Sequence, residues 1–309
     1  MTRLLLSTEN VVVTGAFGYL GLSLLERLSR FTRAVAVGHP PRLATPIPAN
    51  CQVLHGDMTR AEEVLLPGAA LVHLAGGGGG EPACRNDPAL AARAIALGTS
   101  RVVAAARAAG VTRSVMASTI AVYGTYRGAG RPFVESDPIE PDDLYGSLKA
   151  AAEHVFVEHG GGVALRFANL YGGVRQRSAG AAERFARAAA EGGELTVFGD
   201  GSQRIDYLHV EDAAEAIVRA LEAPAPPPAV NVGGGAPVSI LELAEECVRA
   251  AWKLGARPRI VLKPAPEGKV WPDRSLAIGL AREALGWRPR VPLEEGVKEL
   301  VGRLRRSVA

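Results

Sequence analysis

Short apolar runs alternate with longer amphipathic segments through the first half of the chain. The run NVVVTG at 10–15 is β-branched and ends at a glycine, which is typical of a buried strand. Residues 18–31 carry their apolar positions on one helical face. Further strands are predicted at 33–38, 51–58, 69–76 and 113–119, and an Ala-rich helix at 89–109. This alternation predicts βαβ units and therefore an α/β fold, a Rossmann-type doubly wound parallel sheet with helices on both faces.

The second half is less regular, with a helix predicted near 179–192. The Pro-rich stretch at 223–229 lies between a helix and the strand-like VNVGG, so we interpret it as a loop within one fold rather than an interdomain linker. The glycine run at 76–80 follows the fourth strand directly. It is either a flexible loop or a place where the backbone closely approaches a ligand.

Composition narrows the class of protein. With 48% hydrophobic and 22% charged residues, the chain reads as an ordinary soluble globular protein. The net charge of +3 is small and its basic residues are spread out, so no nucleic-acid partner is expected. Three widely separated cysteines, and six histidines without ligand-type spacing, argue against disulfides and metal and fit a cytoplasmic location. We find no signal-peptide pattern and nothing approaching an 18-residue apolar span, so no membrane association is expected.

The strongest local signal is VVVTGAFGYLG, in which Gly15, Gly18 and Gly21 follow a strand and open a helix. Glycines at such a junction allow a tight turn, close approach of backbone N–H groups to a pyrophosphate, and close helix–sheet packing. The spacing therefore predicts a dinucleotide site, the alternative being a purely structural glycine turn.

The spacing T-G-x-x-G-x-x-G resembles the extended short-chain dehydrogenase/reductase family of nucleotide-sugar epimerases, dehydratases and ketoreductases. The resemblance continues in HGDM (55–58), LVHLAG (71–76), STIAVYG (118–124), YGSLK (145–149), RFANLYG (166–172), GDGSQRIDYLHVEDAAEA (199–216) and EALGWRP (283–289). It implies cofactor contacts from Gly15, Phe17, Gly18, Tyr19, Leu20, Asp57, Met58, Leu74, Ala75, Gly76, Tyr145 and Lys149. It also implies a catalytic hydroxyl at Thr119 and substrate contacts from Thr119, Asn169, Arg204 and Lys263.

The Tyr145 and Lys149 side chains should share one helical face, since they are four residues apart. A cation within about 4–6 Å lowers the pKa of a phenol, which would make Tyr145 a usable acid or base at neutral pH. The same ammonium could hold the nicotinamide ribose. Thr119 would donate a hydrogen bond to the substrate oxygen as it moves between carbonyl and alcohol. The alternative, an ordinary surface helix beside an unrelated threonine, leaves the other motifs unexplained.

Departures from the family pattern narrow the reaction. The segment after the second strand, VGHPPR at 37–42, has no carboxylate for the 2′-hydroxyl of NAD, and His39 or Arg42 could meet a 2′-phosphate, which favours NADP over NAD. Ile120 and Ala121 replace the Asp-Glu pair of the 4,6-dehydratases.

Three further departures concern polar contacts. Ile205 stands where an arginine is expected, with Arg204 one position early. Lys263 replaces the arginine that grips the diphosphate, although a lysine is a point charge rather than a bidentate fork. Ile95 replaces an asparagine.

With these departures, the glycine run after the fourth strand and the basic, Pro-containing segment after the second, the chain resembles sugar 4-ketoreductases. The resemblance implies an NAD(P)-dependent oxidoreductase acting on a nucleotide-activated sugar, with reduction of a 4-keto-6-deoxy sugar at C4 as the preferred reaction. The alternatives are a 4-epimerase and a non-catalytic dinucleotide-binding sensor. We expect a dinucleotide-binding domain formed by residues 1–165 with a returning segment near 205–232, and a smaller C-terminal substrate-binding domain formed by 166–204 and 233–309. The resemblance also implies a homodimer formed through two helices per subunit.

Overall fold

A parallel sheet of seven strands lies at the centre of the fold. The computed structural model describes residues 10–39, 47–76, 80–124, 130–173, 180–267 and 273–308. Its strands are β1 Asn10–Thr14, β2 Arg33–Gly38, β3 Cys51–His55, β4 Ala70–His73, β5 Arg113–Thr119, β6 Val163–Phe167, β7 Asn169–Tyr171, β8 Glu194–Phe198, β9 Arg204–Ile205, β10 Tyr207–His209, β11 Ala229–Val232, β12 Val238–Ser239 and β13 Arg259–Lys263.

The strand order in the central sheet is β11-β6-β5-β4-β1-β2-β3, and every pairing in it is parallel. The order reverses between β1 and β4, and ligands of such sheets bind at the carboxyl ends of the strands beside this switch point. The other six strands form three two-stranded sheets, β10-β7, β12-β9 and β13-β8.

Ten α-helices flank the strands in the part of the chain that the structure describes. They are α1 Tyr19–Leu28, α2 Gly80–Asn86, α3 Pro88–Ala92, α4 Gly98–Ala108, α5 Leu144–His154, α6 Ala181–Glu191, α7 Val210–Glu222, α8 Ile240–Lys253, α9 Gly279–Leu285 and α10 Leu293–Val308. Single 3₁₀ turns follow β3 and β5, at Met58–Glu63 and Ile120–Tyr123. Single π-helical turns occur at Arg93–Leu97 and Val155–His159.

Both faces of the central sheet are covered by apolar side chains, as near-continuous apolar strands require. One buried cluster joins strand residues such as Val11 and Val13 to α1 and α7. The cluster on the opposite face joins Val12 and Met116 to α4 and α5. A third cluster joins α6, α8 and α10 to β8. The α/β class and the doubly wound sheet predicted from the sequence are confirmed.

The helical run Pro88–Ala108, made of α3, a π turn and α4, is long and apolar enough to cross a membrane by length and composition. The expectation that no segment approaches such a span is therefore wrong for this run. Ile95, Val102 and Val103 belong to the buried cluster beneath the sheet, whereas Leu90 and Leu97 are exposed. The run therefore packs one of its faces against the core of the protein.

The later elements lie close to their predicted positions. β11 returns to the edge of the central sheet beside β6, and the Pro-rich stretch connects α7 to β11 within this sheet. The proposed division of the chain into two domains stays a prediction.

Candidate active site

The turn after β1 requires glycine at its first position. Gly15 has φ +68°, and a Cβ added there would lie 2.6 Å from the backbone nitrogen of Ala75. The Leu74 amide donates to the Thr14 carbonyl over 3.0 Å, which holds β4 against this turn. The predicted neighbours Gly15, Leu74 and Ala75 therefore meet at the switch point of the sheet.

The other two glycines shape the start of α1. Gly18 is its N-cap and offers no side chain to the first N–H groups of the helix. A Cβ at Gly21 would lie 2.4 Å from the Ala16 carbonyl oxygen, so α1 packs tightly on the turn. A glycine-lined turn at a helix N-terminus fits a pyrophosphate. The residues present thus match a dinucleotide.

Three other predicted cofactor residues lie along the same edge. The Phe17 ring packs on Gly38, where an added Cβ would lie 3.1 Å from ring atom Cδ2. His39 follows β2 directly and is exposed. Gly76 has φ +84° and lies beside the helix backbone at Ala94 and Ile95. Arg42 lies outside the described residues.

Four more predicted cofactor residues have contacts within the protein. The Asp57 carboxylate caps the 3₁₀ turn by accepting from the Thr59 amide over 3.0 Å. Met58 is buried, and its sulfur would lie 2.7 Å from a Cβ added at Gly98. Leu20 belongs to the core, and the Tyr19 hydroxyl donates to the Gly172 carbonyl over 2.5 Å. Their roles toward a cofactor stay predictions.

The three predicted catalytic side chains come from two adjacent elements. Thr119 is the last residue of β5, while Tyr145 and Lys149 lie on α5. α5 begins where the Asp143 carboxylate accepts from the Gly146 amide over 2.6 Å, an N-cap that fixes the register of the helix. Tyr145 is hydrogen-bonded to Thr119. The structure therefore brings the three residues together.

The electrostatics of this pair differ from the prediction. Burial raises the pKa of Tyr145 to about 12, and the hydrogen bond with Thr119 only partly opposes it. The Lys149 ammonium instead donates to the Ala117 carbonyl over 2.5 Å. Burial lowers the pKa of Lys149 to about 8, while the charge of Glu153 raises it. The expectation that Lys149 lowers the pKa of Tyr145 is wrong for this state, because desolvation of the phenol dominates.

A buried polar row that the sequence reasoning missed lies beneath the pair. Arg166 pairs in register with Ser118 on one side and Asn231 on the other, so the row crosses β5, β6 and β11. Two nitrogens of the Arg166 guanidinium donate to Oε1 of Glu153, and the third donates to the Tyr123 hydroxyl over 2.8 Å. The one sequence signal that could have pointed to this row is the i, i+4 spacing of Lys149 and Glu153, which places Glu153 on the same helical face as the predicted pair.

A second buried group, His73 on β4, links the glycine turn to the Ala-rich helical run. The Thr99 hydroxyl donates to the Ile95 carbonyl over 2.5 Å, so it accepts from His73 Nε2 at 3.0 Å. His73 Nδ1 then accepts from the Thr14 hydroxyl over 2.7 Å. Burial, together with the nearby Lys149 charge, lowers the pKa of His73 to about 3, so the imidazole is neutral.

The predicted substrate residues lie on the later strands. The Asn169 side chain donates to the Asp206 carbonyl over 3.2 Å. Arg204 donates to the Pro237 carbonyl over 2.5 Å and lies 3.7 Å from Glu242. Lys263 ends β13 and is exposed. The contacts of Arg204 are therefore with the start of α8 rather than with α5.

The apolar residues that replace polar residues of the family pattern are buried in the structure. Ile120 and Ala121, at the place of the dehydratase Asp-Glu pair, are buried in the 3₁₀ turn after Thr119. Ile95 is buried in the π turn beside Gly76. Neither place offers an acid or base for removal of water.

A glycine turn at the switch point and a Thr-Tyr-Lys group at the end of β5 define a dinucleotide-dependent enzyme class. Residues 11–233 match the NAD dependent epimerase/dehydratase family. The chain belongs to this family, whose members are NAD-dependent nucleotide-sugar enzymes.

Individual relatives differ in their reactions. The chain is 34% identical over 224 residues to a UDP-glucose 4-epimerase of Mycolicibacterium smegmatis, covering 70% of each chain. It is 30% identical over 314 residues to a dTDP-6-deoxy-L-talose 4-dehydrogenase (NAD(P)+) of Kitasatospora kifunensis, covering 94% of each. The structure of MoeE5 in complex with UDP-glucose and NAD superposes with a TM-score of 0.83 at 29% identity, over 97% of this chain and 100% of that one.

Proposed function

We propose that this chain is an NAD(P)-dependent reductase that converts a 4-keto-6-deoxy sugar, carried on a nucleoside diphosphate, to the 4-hydroxy sugar. The observation that carries the proposal is the Tyr145 phenol, hydrogen-bonded to Thr119 and raised in pKa to about 12. Such a phenol holds its proton at neutral pH and so acts as a donor. The relative that aligns over 94% of both chains is a 4-dehydrogenase of a dTDP-6-deoxy sugar, which interconverts the same two functional groups.

Each residue has a distinct task in this proposal. When bound, the nicotinamide supplies the hydride. Tyr145 gives its proton to the C4 oxygen as the carbonyl becomes an alcohol, and Thr119 donates a hydrogen bond to the same oxygen. Lys149, held on the Ala117 carbonyl one helical turn after Tyr145, is proposed to return a proton to the phenol. Asn169, Arg204 and Lys263 are proposed to contact the substrate.

For the cofactor we propose NADP in preference to NAD. β2 ends at Gly38 and is followed by the exposed His39, so a carboxylate is missing where NAD-specific folds bind the ribose 2′-hydroxyl. The remaining proposed contacts are the glycine turn and the ends of β3 and β4, named above. Mass spectrometry of ligand retained through native purification would distinguish the two dinucleotides.

The decisive experiment supplies a dTDP-4-keto-6-deoxy sugar with NADPH or NADH. We expect one NADPH oxidised for each alcohol formed, and loss of turnover in Tyr145→Phe. The second candidate is a 4-epimerase, favoured by the M. smegmatis relative. Interconversion of UDP-glucose and UDP-galactose with catalytic NAD, and no net NADPH oxidation, would replace the reductase by the epimerase. If the protein binds a dinucleotide but converts neither sugar, the non-catalytic dinucleotide-binding sensor would be the remaining interpretation.

We further propose a cytoplasmic homodimer. Leu90, Leu97 and Leu144 are 61%, 48% and 38% exposed on the helical run and on α5. A second copy could cover these side chains. Sedimentation at several protein concentrations tests this, and a single monomeric species at all of them would refute it.

A further inference from the structure

Three residues of α5 meet three consecutive residues of β5. Tyr145, Lys149 and Glu153 share one helical face because they are spaced by four. Tyr145 is bonded to Thr119, the Lys149 ammonium donates to the Ala117 carbonyl over 2.5 Å, and Glu153 accepts from Ser118. The face that carries the proposed proton donor therefore has a third, anionic position.

Glu153 is held rigidly in the interior. Its Oε2 accepts from the Ser118 hydroxyl over 2.6 Å, and its Oε1 accepts from Arg166 Nε over 2.9 Å. Arg166 is held in turn by the Tyr123 hydroxyl, which donates to Asn231 over 2.8 Å. All five side chains are buried. A buried network with its members satisfied fixes the geometry of the elements it joins.

The charge of Glu153 also acts on Lys149. The titratable groups that interact with the Lys149 charge are Glu153 on α5 and His73 on β4. Tyr145 lies one turn before Lys149 on the same helical face. Tyr145 and His73 are neutral near pH 7 because burial raises the pKa of the phenol and lowers that of the imidazole. At the other end of the face, Cys84 on α2 and Asp143, the N-cap of α5, act on Tyr145. Among the described residues, Glu153 is the anion that opposes the burial cost of the Lys149 ammonium.

We propose that Glu153 is a positioning residue for the Tyr145–Lys149 pair: it supplies the negative charge that the buried Lys149 ammonium faces, and through Ser118 and Arg166 it locks α5 onto the end of β5. This rests on the proposed function only in assigning Lys149 a part in turnover. The structural and electrostatic claim concerns the free protein and can be tested without any sugar.

The chain has five lysines, so protein labelled with ¹³C at lysine Cε gives five signals to titrate. Lys149→Arg assigns the Lys149 signal by its loss. We expect its midpoint near pH 8 in the wild type. In Glu153→Gln we expect a downward shift of about one unit, since an opposite charge of this kind is lost. An unchanged Lys149 midpoint would overturn the proposal.

Two further variants keep the test decisive if Glu153→Gln fails to fold. Glu153→Asp keeps the charge and should restore most of the wild-type midpoint. Glu153→Gln/Arg166→Met removes both charges, so no unpaired guanidinium stays in the core. It should shift the midpoint in the same direction by a smaller amount. A double variant that titrates like the wild type would also overturn the proposal.

The matched control is Glu215→Gln. Glu215 is also paired with arginine, accepting from Arg27 and Arg219, but it lies on α7 and outside the proposed machinery. We expect no change in the Lys149 midpoint, and a shift as large as in Glu153→Gln would show a general effect of lost charge.

Kinetics give a second readout. In Glu153→Gln the fall of kcat on the alkaline side of its pH profile should move to lower pH, while KM stays nearly unchanged. Failure of the reductase assay would leave the titration result standing, so the two proposals fail separately.

Discussion

Ile205 and Arg274 pair side by side in a parallel bridge, so the position that lacks the family arginine lies against another arginine. Backbone bonds on both sides hold the pairing, with the Arg274 amide donating to Arg204 and its carbonyl accepting from Asp206, each over 3.0 Å. The Arg274 guanidinium approaches Asp142 at 3.7 Å, three residues before Tyr145. A guanidinium thus lies near α5 although residue 205 is apolar.

We predict that the Arg274 guanidinium binds the diphosphate of the nucleotide sugar. Arg274→Ala should therefore raise the KM for this substrate about tenfold or more and change kcat much less. A charge-assisted bond to a phosphate is worth more than the 1.4 kcal/mol or so that a tenfold change represents. The measurement is steady-state kinetics at saturating cofactor. Arg259→Ala, which removes an exposed arginine paired with Glu194, is the control and should leave KM unchanged. Equal effects of the two changes would contradict a specific role for Arg274.

For Tyr145→Phe we predict a loss in kcat of roughly 10²–10⁴ without loss of fold, as expected for removal of a positioned acid. Thr119→Val should lose activity too, whereas Thr119→Ser, which keeps a hydroxyl, should recover much of it. Single-turnover rates together with thermal unfolding check this. Wild-type turnover in Tyr145→Phe would instead revive the sensor alternative.

The elements that sequence reasoning located well are those with strong local signals. β1, β2 and β5 are β-branched apolar runs, and their ends agree with the structure within a residue or two. The glycine turn was predictable because only glycine combines positive φ with the close approach of Ala75. Thr119 and Tyr145 were paired through a family resemblance, and the structure joins them.

Other features depended on tertiary packing that no local pattern reports. The ion pair of Arg166 and Glu153 joins a strand to a helix, and a charged residue in a strand reads from sequence as solvated. The pKa of Tyr145 depends on how deeply the phenol is buried. The π turn at Arg93–Leu97 interrupts a run whose composition predicts an ordinary helix.

Gly15→Ala and Gly110→Ala form a matched pair that isolates the close approach at the cofactor turn. The two glycines have φ of +68° and +67°, so alanine suffers the same backbone strain of about 1–2 kcal/mol at both. A Cβ at Gly110 meets no atom within 4 Å, whereas one at Gly15 lies 2.6 Å from the Ala75 nitrogen. We predict a larger loss of stability for Gly15→Ala, and loss of dinucleotide affinity in that variant alone. Urea unfolding and calorimetric titration measure the two effects, and equal losses would contradict the packing argument.

Lys149→Met is predicted to change stability in a way that depends on pH. Burial lowers the pKa of Lys149 to about 8 in the folded protein, from 10.5 in the unfolded chain. Between these values the unfolded chain binds more protons than the folded protein, so wild-type stability rises with pH across this window, by up to about 3 kcal/mol. Below pH 8 the folded protein bears the full cost of the buried charge, and methionine removes it.

The advantage of Lys149→Met over the wild type should therefore be largest near pH 7 and should shrink as the pH rises from 8 to 10.5. Part of it is offset at every pH, because the Ala117 carbonyl loses its donor at a cost of about 1–3 kcal/mol. That cost does not vary with pH, and groups that titrate in both proteins cancel in the difference. Free energies of unfolding in urea at pH 7, 8, 9 and 10 test the slope, with Lys298→Met on α10 as the control for loss of one exposed lysine. A difference that stays constant across these pH values would mean that Lys149 carries no burial cost.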